Sequence, residues 1–278
     1  MTDKLNLHHL LAARFDDAPD APVQHVQSEA LCTMASRGSC RSFKDTAVAS
    51  DLIQILCATA LSSPSKSDLQ QRDIIVIDDP HLRQQLAALV PDQTWIADAP
   101  NIAVFCGNNR RQRAIHDIKG IPFANDHLDA LFNAIGDAAI ALGAFVTAAE
   151  AVGLGCCPIS GIRNNAAAVS DLLGLPQHVF PFAGLAFGHP TSSPTVSKRL
   201  PLRMTTHINR YNEGDIATEV AGYDADRADA QPYVTQRLTD TYGTSDSYGW
   251  SDDKTRQYSV SERDGFGAFI RSKGFNLD

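Results

Sequence analysis

Two short basic segments, far apart in the sequence, could bind an anion. Residues 37–43 read RGSCRSF, so two guanidinium groups and a hydroxyl lie within five residues. If this backbone is extended, Arg37, Ser39 and Arg41 point to the same side, and arginine binds phosphate through paired hydrogen bonds. Residues 198–201, KRLP, supply a second basic point after the last predicted core strand. The two segments indicate a phosphate site, and a solvated basic surface would give the same letters.

Two loops carry small and polar residues that can hold a polar ligand. Residues 64–70, PSKSDLQ, lie between a predicted helix and a predicted strand, and an ordinary connecting loop has this composition too. Residues 153–164, GLGCCPISGIRN, begin with Gly-x-Gly. These glycines end a helix instead of opening one, so the segment is not a dinucleotide-binding fingerprint. Its turn at Ser160 and Gly161 could instead present backbone N–H groups to a ligand.

The sequence contains no motif typical of a metal site or of a hydrolase nucleophile. Its nine histidines show no HxxxH or HxH spacing, and no Gly-x-Ser-x-Gly elbow is present. The six cysteines form no CxxC pair, so free buried thiols are expected. Cys156 and Cys157 could be a redox couple, but two small apolar residues in a strand are the favoured interpretation.

The elements that would position these segments follow from hydrophobic periodicity and from breakers. Strands are predicted at residues 73–78, 101–107, 156–160 and 179–187. Helices are predicted at residues 28–35, 49–61, 81–89, 126–153, 165–173 and 266–275. The helix at 126–153 is apolar on nearly every side, which predicts burial in a core or at a subunit interface. This order favours an α+β domain whose sheet is covered by helices.

Composition and charge argue against several classes of protein. The chain has 278 residues, of which 44% are hydrophobic and 20% charged, as in a soluble globular protein. Its net charge of −8 argues against nucleic acid as a partner. The longest uncharged run in the most apolar region, Ala138–Ala149, is shorter than the ~20 residues of a membrane span. The N-terminus lacks a signal-peptide pattern, so we expect a cytoplasmic protein without a membrane partner.

The order and spacing of these segments resemble the FMN-dependent nitroreductase family, in particular its branch of NADPH-dependent oxygen-insensitive nitroreductases and flavin reductases. The family signature Arg-x-Ser-x-Arg-x-Phe is matched at residues 37–43, and its Pro/Ser-rich loop at 64–70. The remaining matches are Gln93 with Trp95, residues 153–163, Gly184, Gly188 and Pro190, and Arg199-Leu200-Pro201. The resemblance implies an α+β fold, a three-layer α/β/α sandwich with a mixed, mainly antiparallel central sheet, in a homodimer with FMN at the subunit interface.

The resemblance also implies a set of FMN-binding residues and no catalytic side chain, because the flavin N5 carries the chemistry. The implied set is Arg37, Gly38, Ser39, Arg41, Pro64, Ser65, Ser67, Leu69, Gln93, Trp95, Ile159, Ser160, Gly161, Arg163, Lys198 and Arg199. Within it, Arg37, Ser39 and Arg199 would hold the FMN phosphate. Arg41 would stabilise negative charge at the pyrimidine edge of the reduced flavin.

Other members of this set are implied to act from both subunits. Ser65, Ser67 and Leu69 would come from the opposite subunit, and Gln93 would bind the flavin ring or ribityl chain. The backbone at Ser160 and Gly161 would donate to flavin N5 or O4. Arg163 would lie near the phosphate of the other subunit's flavin.

Four positions depart from the family pattern. Asp68, often asparagine or apolar in relatives, adds charge near the loop at 64–70. Gly38 stands where members often carry a basic residue or histidine, and Ser160 replaces a usual glycine. Ser197 stands where a basic residue is usual, with Lys198 shifted by one. These changes bear on the geometry of the phosphate site rather than on its presence.

The implied function is an oxidoreductase that passes a hydride from NADPH through FMN to an acceptor such as a nitroaromatic, quinone or flavin, with ping-pong kinetics. Arg237 could pair with the 2′-phosphate of NADPH, and a solvated surface residue is an equally good interpretation of it. An FMN enzyme with another reaction and a non-enzymatic flavin-binding protein remain alternatives. The implied organisation is a loosely attached extension at 1–27, an FMN-binding domain at 28–211, and a polar segment at 212–278 that packs on the domain or on the partner subunit. Most of that last segment is expected to be mobile surface structure.

Overall fold

The computed structural model describes residues 6–19 and 28–278, so parts of the predicted extension, 1–5 and 20–27, lie outside the described residues. Its helices are α1 (Leu7–Arg14), α2 (Glu29–Ser36), α3 (Ser50–Leu61), α4 (Pro80–Ala88), α5 (Arg110–Lys119), α6 (Leu128–Ala151), α7 (Ala166–Leu172), α8 (Leu202–Thr205), α9 (Ile216–Ala230), α10 (Thr239–Tyr242), α11 (Trp250–Tyr258) and α12 (Phe266–Ser272). Its strands are β1 (Arg72–Ile77), β2 (Asn101–Asn108), β3 (Gly155–Ile159) and β4 (Val179–Gly188). The four predicted strands and six predicted helices agree with these bounds to within three residues.

The described residues form two compact units. The sheet unit comprises Ser39–Pro194 and Arg263–Asp278, and the terminal unit comprises Thr195–Glu262 with the described residues of Met1–Gly38. All four strands lie in the sheet unit in the order β1-β2-β4-β3, and each neighbouring pair is antiparallel. An isolated bridge between Ser39 and Cys156 adds a parallel contact at the edge. The prediction of a mixed, mainly antiparallel sheet is confirmed.

Strand β2 shows why helices cover both faces of this sheet. All eight of its residues are buried, and successive side chains point to opposite faces. Phe105 packs in one core with Phe145 of α6, whereas Val104 packs in a second core with Leu86 of α4. Phe145 meets the rings of Phe105 and Phe187 edge-on, with ring centroids 5.7 and 5.2 Å apart. The two cores confirm the three-layer α/β/α sandwich.

Helix α6 is the longest described helix and lies against the sheet. His127 caps its N-terminus by accepting from the backbone N–H of Asp129, and Gly153, at φ 82°, follows its end. By length and composition it could cross a membrane, the single such helix among the described residues. The short uncharged runs of its sequence predict no membrane span, and Ala141, Phe145 and Ala149 of α6 lie in the core beside the sheet. This burial is typical of a core helix.

The terminal unit contains more regular structure than its polar sequence predicted. Helix α1 packs against α2, where Leu7 and Cys32 are buried together, so the expectation of a loosely attached extension is wrong for α1. Helices α9 and α11 occupy much of the segment expected to be mobile surface structure, and Tyr223 of α9 meets Trp250 of α11 edge-on. The guanidinium of Arg256 donates to two backbone carbonyls of the intervening loop. Polar contacts of this kind leave no hydrophobic period in the sequence.

Candidate cofactor-binding site

A cavity of about 640 Å³ in the terminal unit is lined by an unusual number of cationic side chains. The cationic residues in its lining are Arg14, Arg37, Lys198, Arg199, Arg227 and Lys254. None of the described residues that line it is an aspartate or glutamate, and Tyr223, Tyr233 and Trp250 form part of its apolar wall. The volume lies in the range of small-molecule sites. Arg37 of the first basic segment and Lys198 and Arg199 of the second therefore line one cavity whose charge suits an anion.

The backbone of the second basic segment is fixed by hydrogen bonds from α9 and from the segment after it. The hydroxyl of Tyr223 donates to the Lys198 carbonyl at 3.2 Å, and the Gln231 side chain bonds the backbone N–H of Lys198 and the carbonyl of Val196. The guanidinium of Arg199 donates to the Ser197 hydroxyl at 2.6 Å. Ser197, which stands where the family usually has a basic residue, thus orients the neighbouring arginine.

In the sheet unit, the segment that carries Ser39 and Arg41 is extended, as the motif analysis required. The backbone N–H of Cys40 donates to the Cys156 carbonyl at 2.9 Å, and that of Lys44 donates to His189 at 2.8 Å. Cys40 is buried, whereas Ser39 and Arg41 on either side of it are exposed. The alternation leaves a hydroxyl and a guanidinium available to a ligand on the same side of this backbone.

The Pro/Ser-rich loop at 64–70 has a constrained backbone. Ser67, Asp68 and Gln70 have φ values of 50°, 55° and 51°, in the left-handed region that side chains other than glycine rarely adopt. A buried carboxylate of α6 holds the loop in this shape. Asp137 accepts from the backbone N–H of Lys66 at 2.9 Å and from that of residue 71 at 2.7 Å.

Asp137 is also paired with a buried cation. Arg72 Nη1 lies 3.8 Å from its Oδ2, and the two side chains are 3% and 1% exposed. The same guanidinium donates to the carbonyls of Leu61 and Ser63 at the other end of the loop. Sequence analysis missed both residues. The signal it passed over was a lone acidic residue in the middle of a highly apolar helix.

The turn after β3 lies beside the predicted glutamine. A Cβ placed on Gly161 would lie 2.9 Å from Gln93 Nε2 and 2.6 Å from a methyl group of Val90, so this position has room only for glycine. Ser160 is exposed next to it. Trp95 packs against the core that contains Ile159. The structure therefore brings Gln93 and the Ser160–Gly161 turn together within the sheet unit.

Two arginines that were predicted to contact a ligand, Arg163 and Arg237, bond to other residues of the protein through their guanidinium groups. The guanidinium of Arg163 donates to the Phe182 carbonyl and lies over the Phe182 ring, 5.8 Å from its centroid. Arg237 Nε donates to Asp253 at 3.0 Å. Burial opposes ionisation of Asp253, but Lys254 and Arg237 outweigh it and lower the pKa of this carboxyl. Arg237 is thus part of an ion-pair network, and its contact with the 2′-phosphate of NADPH stays a prediction.

The cysteine pair has the features of strand residues. Cys156 and Cys157 are buried and adjacent on β3, where neighbouring side chains point to opposite faces. Burial raises the pKa of two other thiols, that of Cys40 and that of Cys106, the latter to about 12. The thiols of this sheet are arranged as small apolar groups rather than as reactive ones.

The sandwich defines the chain as an α+β protein, and comparisons with known proteins give its family. Residues 34–189 match the profile of the Nitroreductase family, and residues 197–278 match that of the Nitroreductase family, C-terminal domain. The chain belongs to the nitroreductase family, as its motifs predicted.

Individual relatives agree with this assignment over most of the chain. The chain is 28% identical to FMN reductase [NAD(P)H] of Bacillus subtilis, over 90% of this chain and 99% of the relative. It is 36% identical to oxygen-insensitive NADPH nitroreductase of Salmonella typhimurium, over 67% of this chain and 75% of the relative. Among solved structures, NfrA2 of B. megaterium aligns with a TM-score of 0.82 and 30% identity, over 91% of this chain and 100% of that one. Arg14, in the cavity lining, precedes both profile matches.

Proposed function

We propose that this chain is an FMN-dependent oxidoreductase that takes electrons from NADPH and passes them to a small-molecule acceptor such as a nitroaromatic, a quinone or a flavin. The names of its relatives support FMN as the cofactor and NADPH as the donor. The observation that carries the proposal is the cavity in the terminal unit, where Arg37, Lys198 and Arg199 lie together. A phosphate dianion needs such cations, and no carboxylate among the described lining residues repels it.

The residues present fit FMN by the chemistry of their donors. Arg37 and Arg199, which line the cavity of the terminal unit, would bind the phosphate. The exposed guanidinium of Arg41 would stabilise negative charge on the reduced ring. When bound, FMN supplies the hydride chemistry, and the protein supplies orientation and electrostatics. Gln93 and the turn at Gly161, which lie together in the sheet unit, would contact the ring system.

The assembly and location of the protein are part of the same proposal. Phe132 and Ile140 of α6 are 69% and 44% exposed, although the opposite side of this helix is buried in the core. Exposed apolar side chains on a structured helix favour a protein partner. We propose that a second copy of the chain covers them in a homodimer in the cytoplasm. The FMN-binding domain at 28–211 and the alternating ping-pong cycle remain predictions of this proposal.

The test begins with the colour and flavin content of the purified full-length protein. Supplied with FMN, it should bind one flavin per subunit, and anaerobic NADPH should bleach the flavin absorbance faster than NADH does. Adding a nitroaromatic, a quinone or free FMN should then restore the absorbance, and parallel lines in double-reciprocal plots would support ping-pong kinetics. A protein that takes up no FMN overturns the proposal. Binding without reduction by either nucleotide points instead to another reaction or to a flavin-binding protein.

A further inference from the structure

Arg14 joins the two basic segments that line the cavity. Its side chain is buried, 6% exposed. Its guanidinium donates to the carbonyls of Ala35 at 2.9 Å and of Arg37, and across 183 residues of sequence to the carbonyl of Ser197 at 3.3 Å. One planar group therefore holds the end of α2 and the start of the second basic segment at once.

The backbone of Arg14 makes the same connection. Its carbonyl accepts from the backbone N–H of Arg199 at 2.8 Å. Arg14 thus bonds the main chain of Arg37 through its side chain and the main chain of Arg199 through its own carbonyl. Because these are backbone contacts, they fix the positions from which both cationic side chains extend.

A neighbouring carboxylate holds the far end of the second basic segment. Asp17 accepts from the backbone N–H groups of Leu202 at 2.7 Å and Arg203 at 2.8 Å. Burial opposes ionisation, but these amide donors and the Arg203 charge lower the pKa of Asp17. The residues between Arg199 and Arg203 are therefore held from both ends by the segment at 6–19.

We propose that the N-terminal segment at 6–19 completes the phosphate site and that Arg14 is its positioning residue. The inference rests on the proposed function, since the anion it serves is the FMN phosphate. Like charges repel, so Arg37, Lys198 and Arg199 would spread apart in the apoprotein without a fixed backbone. Arg14 prevents this through neutral carbonyl acceptors, and its own charge adds to the positive potential at the cavity wall. The segment precedes both family profile matches.

The test compares FMN with riboflavin, which has the same ring and ribityl chain but no phosphate. Dissociation constants of both are measured on the full-length apoprotein by quenching of flavin fluorescence. The wild type should bind FMN more tightly than riboflavin. Arg14→Gln should weaken FMN binding about tenfold or more, the scale of a lost charge-assisted contact, while the riboflavin constant stays within about twofold. Arg14→Lys keeps the charge but not the planar fork, and should lie between the two.

The matched control is Arg83→Gln, because Arg83 also donates a guanidinium N–H to a backbone carbonyl, that of Pro100 at 3.0 Å, in the sheet unit. The ratio of FMN affinity to riboflavin affinity in the Arg83→Gln variant should equal that of the wild type. An equal loss of both ligands in Arg14→Gln means a merely structural role and overturns the inference while the proposed function stands. If the variant does not fold, Asp17→Asn replaces it, with the same FMN-selective loss expected. A wild type that binds neither flavin overturns the proposed function, and the inference with it.

Discussion

Each unit of the molecule contains a buried charged side chain that holds backbone groups, and the two differ in how their charge is balanced. Asp137 in the sheet unit accepts two backbone N–H groups and pairs with Arg72. Arg14 in the terminal unit donates to three backbone carbonyls in the wall of a cavity lined by five further cations. The negative charge of Asp137 is balanced by the positive charge of Arg72. The positive charge of Arg14 lies beside the other cationic side chains of the cavity.

This difference separates a structural use of buried charge from a binding use. When one partner of a buried ion pair is removed, the other charge is left buried and unpaired, which lowers the free energy of unfolding. This loss should be the same with and without a ligand. A cluster of like charges lowers the stability of the free protein. An anion that binds the folded state raises that stability again, because binding shifts the folding equilibrium toward the folded state. Variants in the two regions should therefore respond differently to FMN.

The largest effect is expected for Asp137→Ala. The change leaves Arg72 without its buried partner and two loop N–H groups without an acceptor, so we expect a loss of about 3–5 kcal/mol in the free energy of unfolding. Urea denaturation with and without saturating FMN measures it, and the loss should be similar in both. The control is Asp129→Ala, an exposed acid at the start of the same helix, for which we expect less than about 1 kcal/mol. A loss as small as the control's would mean that Asp137 does not hold the loop.

A smaller and ligand-dependent effect is expected for Arg199→Gln. Its exposed guanidinium is bonded within its own segment, so the free energy of unfolding of the apoprotein should change by less than about 0.5 kcal/mol. The FMN dissociation constant should rise about 10- to 100-fold, since a hydrogen bond to a charged group is worth about 1.5–3 kcal/mol.

The control for this variant is Arg210→Gln, an exposed arginine outside the cavity lining. Its FMN dissociation constant should stay within about twofold of the wild type. Both constants are measured by the same fluorescence titration. An Arg199 variant that lost apoprotein stability but kept its FMN affinity would erase the distinction between the two regions.

The two regions also differ in how well the sequence predicts them. In the sheet unit, β-branched runs between polar residues located β1 and β2, and the apolar period located α6, because burial on a sheet leaves a direct hydrophobic pattern. The motif at 37–43 was extended as expected from residue 39 onward. Asp137 could have been noticed as an isolated charge inside an apolar helix, but its partners on the loop could not.

The terminal unit gave weaker signals for a physical reason. Helices α9 and α11 are held largely by hydrogen bonds and ring contacts between polar residues, which have no 3.6-residue period to detect. Arg14 acts on Ser197, 183 residues further along the chain, and nothing local marks that pairing. Arg237 is one of several basic residues in a polar stretch of the sequence. Its partner Asp253 becomes apparent only in the folded structure. Arg37 and Arg199 could be predicted to lie together because each belongs to a motif of the family. A cation outside such a motif, such as Arg14, could not be placed from the sequence.

The smallest effect concerns the pH dependence of Asp17, on the same segment as Arg14. Its pKa in the folded protein lies below the usual 3.8, so the folded state favours the ionised carboxyl. The contribution of Asp17 to stability is therefore complete above about pH 4 and is lost as the pH falls through the lowered folded value. The difference in unfolding free energy between the wild type and Asp17→Asn should be constant from pH 7 to 5 and shrink below pH 4. Urea denaturation across that range measures it. A difference that grows on acidification would mean that Asp17 is held in its neutral form, and that the segment at 6–19 does not grip the second basic segment through a charged acceptor.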